Sequence, residues 1–302
     1  MEEDLRTPTQ RPARIVVGVD QSPGSRSALA WAAGVARLLN LRLRVIQAWQ
    51  YPSDAIVRVG YVHLTDAEHS EDRLAADLQR FVREVVGEPS GLKIRIEEAR
   101  GPTTEALLRA ASEPNTAMLV VGSRGLGGFR GLLLGSVSRQ LCEHAPCPVT
   151  VVRGEIASDQ VRLKTLVVGL DGSEQASRAL AFAGDLAEQT GSRVVVAHAA
   201  ERGTSIEASE FHLTPVATGV QEEVERWCAQ LHQRGVDHDV AIKHGDPRTV
   251  LRQVVAEHDA DLLIVGSHGA TTVAHLMLGS VASSLARHCE VPVTIVPHVS
   301  RR

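Results

Sequence analysis

Arg14-Ile-Val-Val-Gly-Val-Asp20 and Thr165-Leu-Val-Val-Gly-Leu-Asp171 are one phrase written twice. Each is a short apolar run ending in an aspartate, the pattern of a strand buried on both faces whose carboxyl end opens onto a loop. The surroundings repeat with it. Gly122-Ser-Arg-Gly125 returns as Gly266-Ser-His-Gly269, Gly135-Ser-Val137 as Gly279-Ser-Val281, and Pro148-Val-Thr-Val-Val152 as Pro292-Val-Thr-Ile-Val296. The first phrase recurs at an offset of 151 and the later ones at 144, so the second copy is seven residues shorter. The loss falls after Val45/Val196 and before Gly101/Gly245. A period this long denotes duplicated domains and not a solenoid, whose repeats run to roughly 20–50 residues.

Within each copy, apolar runs alternate with helical spacing. Ser22-Pro23 supplies a hydroxyl cap and a proline for the first helical position, ahead of Ala28, Leu29, Ala32, Ala33, Ala36 and Leu39 on one face. Strands are expected at Ile15–Val19, Leu43–Ala48, Leu92–Glu98, Met118–Gly122 and Val149–Val152, with helices at Asp66–Val86, Thr103–Ala111 and Ser136–His144 between the later ones. The second copy repeats the order from Leu166–Leu170 to Val293–Val296, with helices expected at Glu174–Thr190 and Thr249–His258 and a strand at Leu262–Gly266. The fold class is therefore α/β: two tandem doubly wound domains, each a five-stranded parallel sheet with helices on both faces. The expected division is a lead-in at 1–13, a first domain at 14–153, a short polar linker at 154–162 and a second domain at 163–298. Pro148 and Pro292 open the last strands, which suits a sheet edge. An exposed Val149–Val152 or Val293–Val296 would leave unpaired main-chain groups, so a homodimer is expected. The longer Tyr51–Thr65 loop of the first copy reads as a surface excursion.

Composition excludes several functions. In 302 residues, 32 Lys and Arg face 36 Asp and Glu, a net charge of −4, which argues against a nucleic-acid binder. Aromatic residues at 3% are too sparse for a base-stacking platform. Met1–Arg14 lacks the apolar segment of a secretory signal, and no run of eighteen apolar residues exists, so no membrane contact is expected. Cys142, Cys147, Cys228 and Cys289 form no C-x-x-C pair. They read as free thiols in a reducing cytoplasm, with no metal site.

The chemistry gathers where open α/β sheets place ligands, beyond the carboxyl ends of the strands. There the pattern G-x-x-G-x9-G-S stands intact in both copies. Glycines admit close backbone approach, their N–H groups serve as donors, and Ser136 and Ser280 begin helices whose first amides are unpaired. That suits a polyphosphate. A micromolar ligand needs about 8 kcal/mol, and the helix terminus supplies only about 0.3–1 of it. Several hydrogen bonds to charged oxygens, at roughly 1.5–3 kcal/mol each, must supply much of the rest. Asp20 and Asp171 either meet the ligand or cap the first helix. Gly18 and Gly169 imply close passage of a ligand or a neighbouring backbone.

These residues resemble the universal stress protein family in its tandem, ATP-binding branch, across Arg14–Val152 and Leu163–Pro297. The resemblance implies an adenine nucleotide alpha hydrolase-like architecture and one ATP per domain, with Mg2+ a candidate bridge between phosphates. It assigns Gly18, Asp20, Ala48, Gly122, Ser123, Arg124, Gly125, Gly135, Ser136 and Val137 to the first site. The second site takes Gly169, Asp171, Ala199, Gly266, Ser267, His268, Gly269, Gly279, Ser280 and Val281. Ala48 and Ala199 would present main-chain groups to adenine. The second copy carries Ala282 for Ser138 and His268 for Arg124, so weaker phosphate binding is expected there. The function implied is a nucleotide-dependent sensor or effector in stress response, a regulatory protein without catalytic residues. Two alternatives stand: an ATP-using enzyme of slow turnover, and a scaffold dimer with vestigial sites. The enzyme lacks parts, since neither a G-x-x-x-x-G-K-[ST] loop nor a G-x-S-x-G elbow is present.

Overall fold

Ser22 starts the first helix as its spacing predicts: its Oγ accepts the Ser25 N–H at 3.2 Å, and Pro23 follows. The computed structural model describes residues 13–49, 64–87, 91–125, 134–200, 215–269 and 277–298. The expected lead-in, at 1–12, and most of the Tyr51–Thr65 loop, at 51–63, lie outside the described residues.

The first domain runs β1 (Arg14–Gly18), α1 (Pro23–Leu38), β2 (Arg42–Trp49), α2 (Leu64–Val86), β3 (Ile94–Arg100), α3 (Thr103–Ala111), β4 (Thr116–Gly122), α4 (Ser136–His144) and β5 (Val149–Val152). The second repeats it with β6 (Thr165–Gly169), α5 (Glu174–Thr190), β7 (Arg193–Ala200), α6 (Pro215–Gln233), β8 (His238–His244), α7 (Pro247–Glu257), β9 (Leu262–Gly266), α8 (Ser280–His288) and β10 (Val293–Val296). Alanines let α1 lie close on the sheet: Ala28, Ala32, Ala33 and Ala36 are wholly buried, as is Leu29. Leu78, Leu180 and Leu231 of α2, α5 and α6 join the same core. Leu107, Leu141, Leu251 and Leu285 of α3, α4, α7 and α8 build a second core on the opposite face. The linker is less polar in place than in sequence. Ile156 and Val161 pack against the first core, and Val161 fills the space left beside α1 by the absent side chain of Gly34.

All ten strands form one sheet in the order β3-β2-β1-β4-β5-β10-β9-β6-β7-β8. Every neighbouring pair is parallel except β5 and β10, which run antiparallel. The expectation of a free edge at Val149–Val152 or Val293–Val296 is thus corrected: each strand is the other's partner. Thr150 and Thr294, equivalent in the two copies, stand opposite each other with hydroxyls 2.8 Å apart, both wholly buried. The domains are therefore related by a local two-fold axis through this pair, and their strand carboxyl ends open at opposite ends of the sheet. The outer strands are β3 and β8, whose charges (Arg95, Glu97 and Glu98; Asp239 and Lys243) discourage further pairing. The expected homodimer loses the reason first given for it.

Candidate functional site

The turns after β1 and β6 settle the role of the aspartates within the chain. Asp20 Oδ1 accepts the Ser22 N–H, and Asp171 Oδ1 the Ser173 N–H, both at 3.1 Å. The helix caps are Ser22 and Ser173, so the capping alternative for the aspartates falls. The other carboxylate oxygen faces the signature loop. A Cβ on Gly269 would stand 2.6 Å from Asp171 Oδ2, and one on Gly125 would collide with Asp20 Oδ2. Each aspartate thus buttresses its loop from below.

The remaining glycines divide. Gly122 lies against the start of α1, where a Cβ would be 2.7 Å from the Gly24 carbonyl oxygen, and Gly266 lies likewise on Gln175 of α5. Gly18 and Gly169 face Leu107 and Leu251, at 2.6 and 3.0 Å from a would-be Cβ. Protein packs against all four, and Gly169 and Gly266 also border the second cleft; at Gly18 and Gly169 the close neighbour is a leucine side chain rather than backbone. The expectation of free loop amides also narrows. Gly135 and Gly279 donate to the Ser123 and Ser267 carbonyls at 2.7 and 2.9 Å, while Ser123 and Ser267 donate to Val152 and Val296, both at 2.9 Å. The donors left include the first-turn amides of α4 and α8, whose caps, Gly135 and Gly279, make no side-chain hydrogen bond. Ser138 is a brace: its buried hydroxyl donates to the Gly122 carbonyl at 2.7 Å. Its replacement by Ala282 therefore takes no phosphate ligand away, and the expected weakness of the second site rests on His268 alone.

The ten residues expected of the second copy come together. Gly169, Asp171, Ala199, Gly266, Ser267, His268, Gly269, Gly279, Ser280 and Val281 all line one cleft of about 380 Å³. Nine further residues share the wall, among them Ala176, His198, Gly245, Pro247 and Leu251, none of which was assigned to the site from sequence. A signal existed for two of them. His198 adjoins Ala199 at the end of β7, and Gly245 recurs from Gly101, both with positive φ. In the first copy the equivalent ten hold the same places in the chain, with Ala48 on β2 opposite Ala99. The loop centres, 126–133 and 270–276, lie outside the described residues.

Comparison with protein families finds the Universal stress protein family over residues 13–153 and again over 162–297. The chain belongs to the universal stress protein family. It is similar to a universal stress protein of Mycolicibacterium smegmatis, 28% identical over 93% of this chain and 96% of that one. A Mycobacterium tuberculosis universal stress protein is 29% identical over 93% and 94%. In fold it resembles the crystal structure of a universal stress protein from Archaeoglobus fulgidus, with TM-score 0.71 at 22% identity over 94% and 98% of the two chains.

In this universal stress protein the second cleft has a polar wall of unusual kind. His268 Nδ1 lies 3.0 Å from Ser267 Oγ, while its Nε2 is buried with no hydrogen-bond partner among the described residues. His198 donates from Nδ1 to the Leu170 carbonyl at 2.8 Å and meets Trp227 edge-on, ring centroids 5.7 Å apart. Such a cleft offers an apolar floor, main-chain donors at a helix start and one imidazole in want of a partner. The cysteines are free and buried. Burial pushes the Cys142 and Cys147 thiols up to about 12 and Cys228 up to about 11, so they are poor nucleophiles. Among the described residues no group of three metal-ligating side chains occurs, and no helix is long and apolar enough to cross a membrane.

Proposed function

We propose that this universal stress protein binds one ATP in each domain and acts as a nucleotide-dependent sensor or effector in stress response. The observation that carries the reading is the second cleft. Ten residues that the family resemblance assigns to the second site surround one space of about 380 Å³ beside an uncapped helix start. That volume lies within the roughly 300–1,000 Å³ of small-molecule sites. The phosphates would take the amides of Ser280–Ala282 and Ser136–Ser138, the ribose would lie by Asp171 and Asp20, and adenine along the ends of β7 and β2. Mg2+ would ride on the phosphates. The same reading keeps the protein in the cytoplasm and allows a homodimer through surfaces other than β5 and β10. Titration calorimetry with MgATP is expected to register two sites per chain. Ser136→Glu or Ser280→Glu, each setting a carboxylate at one exposed helix start, is expected to leave one site, with about a hundredfold loss at the other. A wild-type chain giving no heat would sink the reading.

His268 favours a second, narrower reading, in which the domain hydrolyses bound ATP slowly. Its imidazole, in the cleft wall, would orient water once a ligand-induced turn of the ring brought Nε2 to the cleft. Phosphate release that persists unchanged in His268→Ala would dismiss it.

A further inference from the structure

Three arginines gather where the domains meet, and they have no counterparts across the local axis. Arg153 follows the last residue of β5. Arg124 follows Ser123, whose N–H is tied to the Val152 carbonyl at 2.9 Å, so the two stand side by side. Because β10 runs antiparallel to β5, with Val293 opposite Val151, the turn from α8 into β10 arrives at this same end. It brings Arg252 of α7, which shares the wall of a cavity of about 520 Å³ with Cys289 and Glu290 of that turn. Arg153 Nη1 is buried with no hydrogen-bond partner among the described residues. Burial, and then the charges of Arg124 and Arg252, hold the Arg153 guanidinium below its ordinary pKa. Among the described residues no carboxylate, Glu290 included, forms an ion pair with any of the three. The mirrored positions are His268, Pro297 and Leu108, a set without an arginine.

Like charges crowded together with a donor left over call for an anion, and guanidinium groups match phosphate oxygens in geometry. We propose that Arg124, Arg153 and Arg252 form a receptor for the terminal phosphates of the nucleotide at the first domain's site, with Arg252 reaching across from the second domain. This rests on the nucleotide reading above. It makes the first site a joint product of both domains and selective for the longer phosphate chain, while the second site is built from one domain alone.

The test uses the full chain carrying Ser280→Glu, so that the first site is read by itself, with ATP, AMP and inorganic tripolyphosphate as probes. Arg252→Leu copies the residue at the mirrored position and changes an exposed side chain; Arg153→Gln is the second variant. Both are expected to lower ATP affinity about tenfold or more and to leave AMP affinity unchanged. Unchanged ATP affinity in both variants overturns the receptor while the nucleotide reading stands. Equal losses for ATP and AMP overturn it too, since they mark a general disturbance. Tripolyphosphate binding that depends on Arg252, with no nucleotide binding by the wild type, sinks the nucleotide reading and with it the receptor's role toward a nucleotide, leaving a site for polyphosphate alone. If neither binds, both fall.

Discussion

The two domains carry one signature and build it to different widths. In the first, Gly24 on α1 lets the signature loop settle: a Cβ there would stand 2.6 Å from the Arg124 carbonyl oxygen. In the second, Gln175 holds that position with a real Cβ, so the same approach is closed to His268. The mouths differ as well. Gln21, at φ 62°, donates its side-chain amide to Gln47 at 3.0 Å. The second domain has Gly172 at φ 78°, packed on Trp227, with His198 across from it. The glycines and the helix start set what a loop can bind. Residues outside the signature, on the neighbouring helix and strand, set how far it stands open.

The largest effect expected of that contrast is on Gly24→Gln. Forcing a side chain between α1 and the Arg124 carbonyl should cost about 1–3 kcal/mol in urea unfolding. Gln175→Gly, at the equivalent position, should cost less than about 1 kcal/mol. Equal losses would break the comparison. Next comes the axis that relates the domains. Thr150→Val strands the Thr294 hydroxyl in a dry interface and should cost about 1–2 kcal/mol. Thr150→Val with Thr294→Val should recover most of it, because both polar partners are then gone; a double variant as unstable as the sum of the singles would deny the pair its role.

The smallest effect lies in the sheet. Arg44 of the first domain is bonded to both oxygens of Glu97 at 3.0 Å and to Glu113 at 2.7 Å, where the second domain has Val195, Ala241 and Glu257. Arg44→Val should cost about 1 kcal/mol at neutral pH, since the glutamates are partly solvated. The Arg44 hydrogen bond holds the Glu113 carboxyl below the usual range. A depressed folded pKa gives stability that is full above the unfolded value of about 4.3 and lost as pH falls below it. The variant and the wild type should therefore converge in acid, and a penalty that grows on acidification would contradict this origin.

Much of this was legible in the chain. Val149–Val152, Leu262–Gly266, Ser136–His144 and Glu174–Thr190 fall where their spacing puts them, because apolar period and capping residues act within a few positions. The start of α7 at Pro247, two residues before the expected Thr249, shows the limit: Asp246 caps it, accepting the Arg248 N–H at 2.9 Å, in a cap-and-proline pair equivalent to Ser22-Pro23. In the site, the membership of the second cleft was legible because the family resemblance assigns it and the copy repeats the signature. The task of Ser138 was not, since its hydroxyl finds a carbonyl sixteen residues back in the chain, and neither was the place of Arg252, which lies beside the turn into β10 at the domain boundary.

By itself the sequence determined the duplication, the alternation of strands and helices, and the turns that carry glycine, since each is written in short-range pattern and then written again. Only the tertiary structure decided that β5 and β10 complete each other. A strand edge is satisfied by any main chain that comes alongside, in either direction, and nothing in Pro148–Val152 names its neighbour. That antiparallel choice sends the two sites to opposite ends of the sheet and draws an arginine of one domain to the doorstep of the other.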